Sequence, residues 1–313
     1  MPWADPYLGS KDAQIALFDG LVTNYPTRIK KETVGQTLEG RNIPLYRLGN
    51  PSGGKWMFDG AIHGCSDLST IAHHRFLKWL LESNEPRAIN ILAKKQLLCI
   101  PIINVDRATR KNARNGVWPN GVDLNRNFPA GWASAGTTDP TDDYYHGTSA
   151  ASEPETQAII QTLDREQPEI YTNFHNWGGP MNSSNNYTAA QKTFADATEA
   201  KYITLAGTMG QQIYPYNSGS VGGGGGGMAY GEASRHGVKA SFIIEVVYMN
   251  GTAVFPNFNQ LPTIEMIDSY YFPRLLPYYI TLSEAVSDGT DVTKYAFAHW
   301  QDGDTSLTKT IIT

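Results

Sequence analysis

The chain has 313 residues, 41% of them hydrophobic and 18% charged, and 25 basic against 30 acidic side chains leave a net charge of −5. Apolar and aromatic residues run along the whole length, which argues against disorder and supplies one sizeable core. The acidic balance argues against a nucleic-acid partner. No apolar run reaches membrane-span length, the longest (97–103 and 242–247) being strand-sized, so no membrane partner is expected either.

The opening MPWADPYLGS lacks the basic and apolar regions of a secretory leader. Either the protein stays inside the cell or a leader has been removed. Two cysteines, Cys65 and Cys99, cannot make a disulfide framework and leave the redox compartment open.

In chain order, residues 15–24 read as a helix ending before Pro26. KWMFDGAIHG (55–64) is a short apolar run closed by glycine, a buried strand leading into a loop. Residues 67–82 carry Leu68, Ile71, Ala72, Phe76, Trp79 and Leu80 at helical spacing. His73 and His74 lie within that helix, His74 opposite the apolar stripe and therefore expected at the surface. Residues 96–106 read as a second buried strand, in which Cys99 serves as a small hydrophobe.

The region 107–143 is rich in Asn, Gly, Pro, Thr and Asp, an irregular excursion of the kind that carries function. SEPET then predicts a helix start, with Ser152 as N-cap and Glu155 completing a capping box. Strands are expected over 169–175 and 239–247, and a closing helix over 272–287. Residues 222–227 are six consecutive glycines, a mobile or tightly turning loop. Residues 291–313 alternate around Asp302–Gly303 as a hairpin would, an edge addition or the start of a further module beyond a main domain of 1–290. The alternation of strands and helices predicts an α/β fold with a central mixed, mostly parallel sheet flanked by helices.

The polar groups gather at strand ends and in the long excursion. His63 follows one strand, His175 ends another, and Glu245 lies in a third. Two imidazoles and a carboxylate at one sheet edge suit a catalytic zinc site, although a single strand-end histidine is more often a hydrogen-bonded structural group. In GVDLNRNFP, Asn125 and Arg126 form a good carboxylate receptor, because a guanidinium makes two parallel charge-assisted hydrogen bonds. The bland alternative is that Arg126 braces its own loop through backbone carbonyls.

Taken together and in order, PIINVDRATRKN, DLNRNFP, ASEPET, NFHNWG and SFIIEV resemble the zinc carboxypeptidases of the M14 (carboxypeptidase A-like) family, as does the opening segment YPT…VGQTLEGRNIPLYRLGN. The resemblance spans residues 7–287. It implies that His63 and His175 bind Zn²⁺ and that Arg110 faces the oxyanion of the scissile carbonyl. It further implies that Asn125 and Arg126 grip the substrate's terminal carboxylate, and that Tyr214 closes over the substrate on a flap. Glu245 would be the base and proton shuttle for the attacking water. Asn176 and Trp177 would line the neighbouring subsite. Val221 occupies the position that sets side-chain preference, and an uncharged residue there favours an apolar or aromatic terminal residue. The implied partners are peptide or protein C-termini, met by a monomer.

One departure stands out. The family's first zinc motif is His-x-x-Glu, whereas this chain reads His63-Gly64-Cys65-Ser66-Asp67, with serine at the glutamate position. A neutral hydroxyl is a poor zinc ligand beside a carboxylate. Asp67 is a candidate substitute, Cys65 as thiolate another, and a weak or missing metal the third reading. Ser66 and Asp67 are also ordinary N-caps for the following helix. Two rivals to hydrolysis therefore stay open: a silenced protein that binds peptide C-termini, and an N-acyl amino-acid deacylase sharing the zinc and Asn-Arg elements.

Overall fold

The computed structural model describes residues 10–64, 66–106, 121–178, 181–183, 188–210, 216–217, 226–248, 265 and 267–289. Arg110, Tyr214, Val221, Cys65 and the expected hairpin at 291–313 lie outside the described residues. None of the described helices is long and apolar enough to cross a membrane.

The elements in chain order are helix α1 (Lys11–Asn24), strands β1 (Ile29–Gln36), β2 (Asn42–Gly49) and β3 (Lys55–Asp59), then helices α2 (Asp67–Glu82) and α3 (Pro86–Lys94) and strand β4 (Gln96–Ile100). Helix α4 (Pro154–Glu166), β5 (Ile170–Gly178), β6 (Met181–Ser183), α5 (Ala189–Thr208), β7 (Tyr216–Asn217), α6 (Ala229–Ala233) and β8 (Ala240–Tyr248) follow. A wide turn at Ile267–Tyr271 leads into the last helix, α7 (Phe272–Ala285). The strands form one sheet in the order β1-β2-β4-β3-β5-β8-β6-β7. Its centre is parallel, β4 with β3, β3 with β5 and β5 with β8, while β1 with β2, β2 with β4 and β6 with β8 pair antiparallel. This is the mixed, mostly parallel sheet the alternation predicts.

Both faces are covered, which is why the central strands read as near-continuous apolar runs. On one face α1, α2, α3, α5 and α7 bury a layer that includes Phe18, Leu68, Ile71, Phe76, Phe174 and Ile280. The ring centroids of Trp56 and Phe58 lie 4.3 Å apart, and those of Phe76 and Tyr279 4.5 Å apart. Such pairs add about 0.5–1.5 kcal/mol each beyond their buried area. On the other face α4 and α6 pack Ile159, Leu163, Ala229 and Tyr230 against Met57, Leu98, Ile100 and Tyr171.

Three local expectations are corrected. His74 is buried and packs edge-on against Phe18, ring centroids 5.4 Å apart, because α1 covers the helix face that looked solvated. The capping box at Ser152 does not form: α4 begins at Pro154, and Glu155 Oε1 accepts from the Leu38 amide in a distant loop. The box occurs instead on α5, between Thr188 and Gln191. Finally, β3 and β4 are shorter than read, ending at Asp59 and Ile100, where the chain turns to build loops. Cys99 is fully buried and free, as a small hydrophobe should be.

His73 is sealed in the core with Nδ1 2.7 Å from the Tyr279 hydroxyl. Burial pulls its pKa down to about 3, the Asp59 backbone contact opposing. Since the folded value lies below the unfolded one near 6.5, the stability owed to neutral His73 is complete above pH 6.5 and is lost as pH falls towards 3. At about 1.4 kcal/mol per unit the loss is on the order of 4 kcal/mol. The His73→Gln variant should show a flatter acid limb in a Tm-against-pH series than the parent chain, and an unchanged slope would refute this.

Candidate metal and carboxylate site

After β3 the chain leaves the sheet through a tight turn. Ala61 adopts a left-handed backbone (φ 48°), uncommon without glycine, and is held there by long-range bonds. Its amide donates to Ser69 Oγ (3.1 Å), and its carbonyl accepts from the Asn104 amide (3.0 Å). Ser69 in turn donates to the Ser66 carbonyl (2.6 Å), and the Ser66 amide to the His63 carbonyl (2.8 Å). The first turn of α2 thereby fixes where His63 stands.

His63 Nε2 lies 2.9 Å from Asp123 Oδ1, and the same oxygen accepts from the Asn125 amide at 2.9 Å. Burial alone would raise the Asp123 carboxyl, but His63, Arg126 and the Asn125 amide outweigh it and bring it down to about 2. The His175 ring sits 5.1 Å from that of His63, centroid to centroid, at 63°. Its Nε2 is 2.5 Å from Asn173 Oδ1 and 3.4 Å from Asn125 Nδ2. Burial, then the His63 charge, push the His175 pKa well below its ordinary value, Asp123 opposing. A neutral imidazole, the form that ligates a metal, results.

Glu245 on β8 is the register partner of His175 on β5. The residue is half-buried, yet its Oε2 is sealed from solvent and has no partner among the described residues. Burial pushes this carboxyl up to about 8.

These groups answer, in part, the question of a zinc ion. Both histidines commit Nε2 to the protein, and neither Nδ1 has a partner among the described residues. Paired imidazoles with second-shell partners, next to an orphaned buried carboxyl oxygen, are chemistry suited to a divalent cation. The third protein ligand is where the set thins. Asp67, the candidate substitute, is turned the other way: its Oδ1 takes Lys11 Nζ at 2.5 Å and Gln14 Nε2 at 2.8 Å, binding α2 to α1. Ser66 stands at the N-cap of α2 without a side-chain capping bond. Among the described residues no three His, Cys, Asp or Glu side chains converge to hold a metal. A catalytic zinc takes three protein ligands, and two imidazoles, those of His63 and His175, come together here.

The carboxylate receptor follows the same strand ends. Residues Leu124–Arg126 form a single 3₁₀ turn begun by Asp123. Asn125 is buried, its Oδ1 accepting from the Ala229 amide (3.1 Å) at the start of α6. Arg126 spends one hydrogen bond on the Asn125 carbonyl (2.8 Å), as the bracing alternative anticipates, and its guanidinium lies 5.3 Å from the Tyr144 ring centre. The last glycine of the six-glycine run packs against this segment. Gly227 has φ 69°, and a Cβ there would meet the Arg126 carbonyl at 2.3 Å, so only glycine fits.

The structure thus brings His63, His175, Glu245, Asn125 and Arg126 together at one end of the central strands and assigns Asp67 elsewhere. Asn176 and Trp177 continue β5, their side chains outside the description. Sequence reasoning passed over Asp123, although it opens the DLNRNFP motif, and Asn173, two residues before His175 on the same face of β5. The signal for Asn173 was a run of polar side chains at every second position, Tyr171, Asn173 and His175, on one face of the strand.

The sequence profile of the peptidase M14 family, zinc carboxypeptidase, matches residues 15–265. Carboxypeptidase B of Bos taurus is 27% identical over 227 residues, 62% of this chain and 54% of that protein. The inactive metallocarboxypeptidase ecm14 of Talaromyces marneffei is 31% identical over 163 residues, 45% of this chain and 27% of that protein. The match to carboxypeptidase B thus spans about half of that relative's length. Thrombin-activatable fibrinolysis inhibitor superposes with a TM-score of 0.73 at 19% identity, covering 90% of this chain and 76% of that one. Carboxypeptidase A of Helicoverpa armigera gives 0.70 at 21% identity, covering 88% and 73%; both superpositions speak for the fold. A family match that takes in most of the chain, on a sheet shared with those structures, makes this protein a member of the M14 zinc carboxypeptidase family.

Proposed function

We propose that this chain hydrolyses the C-terminal peptide bond of peptides or protein tails as a metallocarboxypeptidase. The observation that carries the reading is the juxtaposition of two imidazoles, each held through Nε2, with the orphaned Glu245 carboxyl in register opposite His175. In this reading His63 and His175 hold the zinc, which when bound supplies Lewis acidity toward a water and the scissile carbonyl.

The remaining work falls to the chain's own residues. Arg126 takes the terminal carboxylate with donors beyond the one it gives to Asn125, and Asn125 presents its amide nitrogen beside it. An internal peptide bond has nothing for this clamp to hold, which makes the reaction exopeptidic. Glu245 accepts the proton of the attacking water and returns it to the leaving amine. Burial by itself keeps this carboxyl protonated at neutral pH; a positive charge nearby favours the carboxylate, so Glu245 acts as base only in a charged site. Arg110 is assigned to the developing oxyanion, Tyr214 to the closing flap and Val221 to an apolar or aromatic preference.

A second reading, peptide C-terminus binding without cleavage, is favoured by one specific observation: serine replaces the third ligand while Asp67 is spent on Lys11. The two separate cleanly. Zinc affinity measured by calorimetry should be weak in the parent chain and rise more than 100-fold in Ser66→Glu, exceeding the roughly 10–100-fold scale of second-shell effects. Turnover of a blocked dipeptide ending in phenylalanine should rise with it. Parent protein that binds the peptide without metal and never turns it over, while Ser66→Glu does, is a silenced form. Faster cleavage of N-acyl amino acids than of peptides would point to a deacylase.

Arg126→Ala should weaken binding of peptides with a free C-terminus by roughly 10- to 100-fold, the worth of a charge-assisted hydrogen bond. C-terminally amidated peptides should bind poorly to both proteins. Equal affinity for free and amidated ends in the parent chain would remove the clamp from the site.

A further inference from the structure

His63 and His175 are oriented by different devices. His63 meets a carboxylate directly, whereas His175 meets an amide, and behind that amide lies a second buried carboxylate. On β5 the side chains of Tyr171, Asn173 and His175 share a face, and parallel pairing with β3 makes Asp59 the register partner of Asn173. Asp59, Tyr171 and Asn173 are all fully buried, and His175 is 6% exposed. Asp59 Oδ2 accepts the Tyr171 hydroxyl and Oδ1 accepts Asn173 Nδ2 at 2.5 Å, so both carboxylate oxygens are used as acceptors.

That arrangement leaves Asn173 one way to face. With Nδ2 given to Asp59, it turns Oδ1 toward His175 Nε2 at 2.5 Å. A flipped amide would set oxygen against oxygen in a dry site, where an unmade hydrogen bond costs its full desolvation penalty. His175 Nε2 must then carry the proton. Its other neighbour, Asn125 Nδ2, is also a donor and stands off at 3.4 Å, and Asn125 is kept from flipping because its Oδ1 holds the Ala229 amide. A donor at the longer distance fits a protonated Nε2.

We propose that Asn173, aimed by the buried carboxylate of Asp59, is a positioning residue that fixes His175 as its Nε2–H tautomer and so makes Nδ1 the atom offered to the metal. The inference rests on the reading of His175 as a zinc ligand, but the tautomer itself is a property of the metal-free protein. The amide spacer orients the ring without placing a second carboxylate against it, while Asp123 already supplies that charge on the His63 side.

The test uses the full chain labelled with ¹⁵N-histidine, metal-free, with imidazole nitrogen shifts recorded at pH 8. Burial lifts Asp59 to about 7 against the pull of Tyr171 and Asn173, so at that pH it is ionised. His175 should show a protonated Nε2 and a lone-pair Nδ1. Asn173→Leu should lose that tautomer and weaken zinc binding by roughly 10–100-fold in calorimetry. The exchange Asp59→Asn with Asn173→Asp returns an oxygen to His175 and an amide donor to position 59, and it should restore both signals. A parent chain with His175 protonated at Nδ1, or a folded Asn173→Leu with unchanged tautomer and affinity, overturns the proposal; the exchange variant, close in shape to the parent, decides if Asn173→Leu fails to fold. A parent chain with the Nε2–H tautomer but no hydrolysis would instead count against the enzymatic reading alone.

Discussion

Parallel pairing of β5 with β3 on one side and β8 on the other is the constraint from which the site follows. The ladder places His175 beside Glu245 and Asn173 beside Asp59. Because side chains alternate between faces, every second residue of β5 delivers a polar group to the same side. A slip of one residue would move the whole polar row to the opposite face, among Phe58 and Phe76, and carry Phe174 out of that aromatic layer. The aromatic packing that forbids the slip is therefore also what holds the chemistry in place.

Within this frame the polar groups are unevenly satisfied, and the unevenness carries information. Asp123 is held ionised by His63, Arg126 and the Asn125 amide despite its burial. His175 is kept neutral, and its proton is directed to one nitrogen by an amide with its own anchor. Beside them, Glu245 has a sealed carboxyl oxygen with no hydrogen-bond partner among the described residues. A protein that buries one unpaired carboxyl among several paired ones keeps a place for charge to meet charge, and the adjacent imidazoles indicate what sign that charge has.

The start of α2 shows a competition between holding the fold and holding a metal. Asp67 lies one position from where the family's glutamate would stand, yet it forms a buried ion pair with Lys11 and accepts from Gln14. Removing one partner of such a pair costs about 3–5 kcal/mol, because the other charge is left buried alone. Asp67 is thus bound to α1 by its own electrostatics. The two imidazoles, the Glu245 carboxyl and the Asn125–Arg126 pair stand together, while the position of the family's glutamate carries only the Ser66 hydroxyl.

The sequence alone determined the elements whose burial is one-sided or complete. Helix α2 is read to the residue from its apolar stripe, β8 and α7 nearly so, and the order of motifs identifies the family. It did not reveal β1 and β2, whose strands mix charged residues with apolar ones because they lie toward the sheet edge, nor α5, whose Ala- and Thr-rich surface has little amphipathic contrast. The N-terminal cap of α4 was misread because Glu155 is claimed by the Leu38 amide, 117 positions away. Only the tertiary structure decided that Asp67 belongs to Lys11, that His74 is covered by α1, and that Asp123 and Asn173 stand behind the two histidines. Asp67, His74 and Asp123 make these contacts with residues distant in the chain, and Asn173 is aimed at His175 by Asp59 on the neighbouring strand. Local pattern records which face of an element is buried; what the buried polar groups meet there depends on how the elements are brought together.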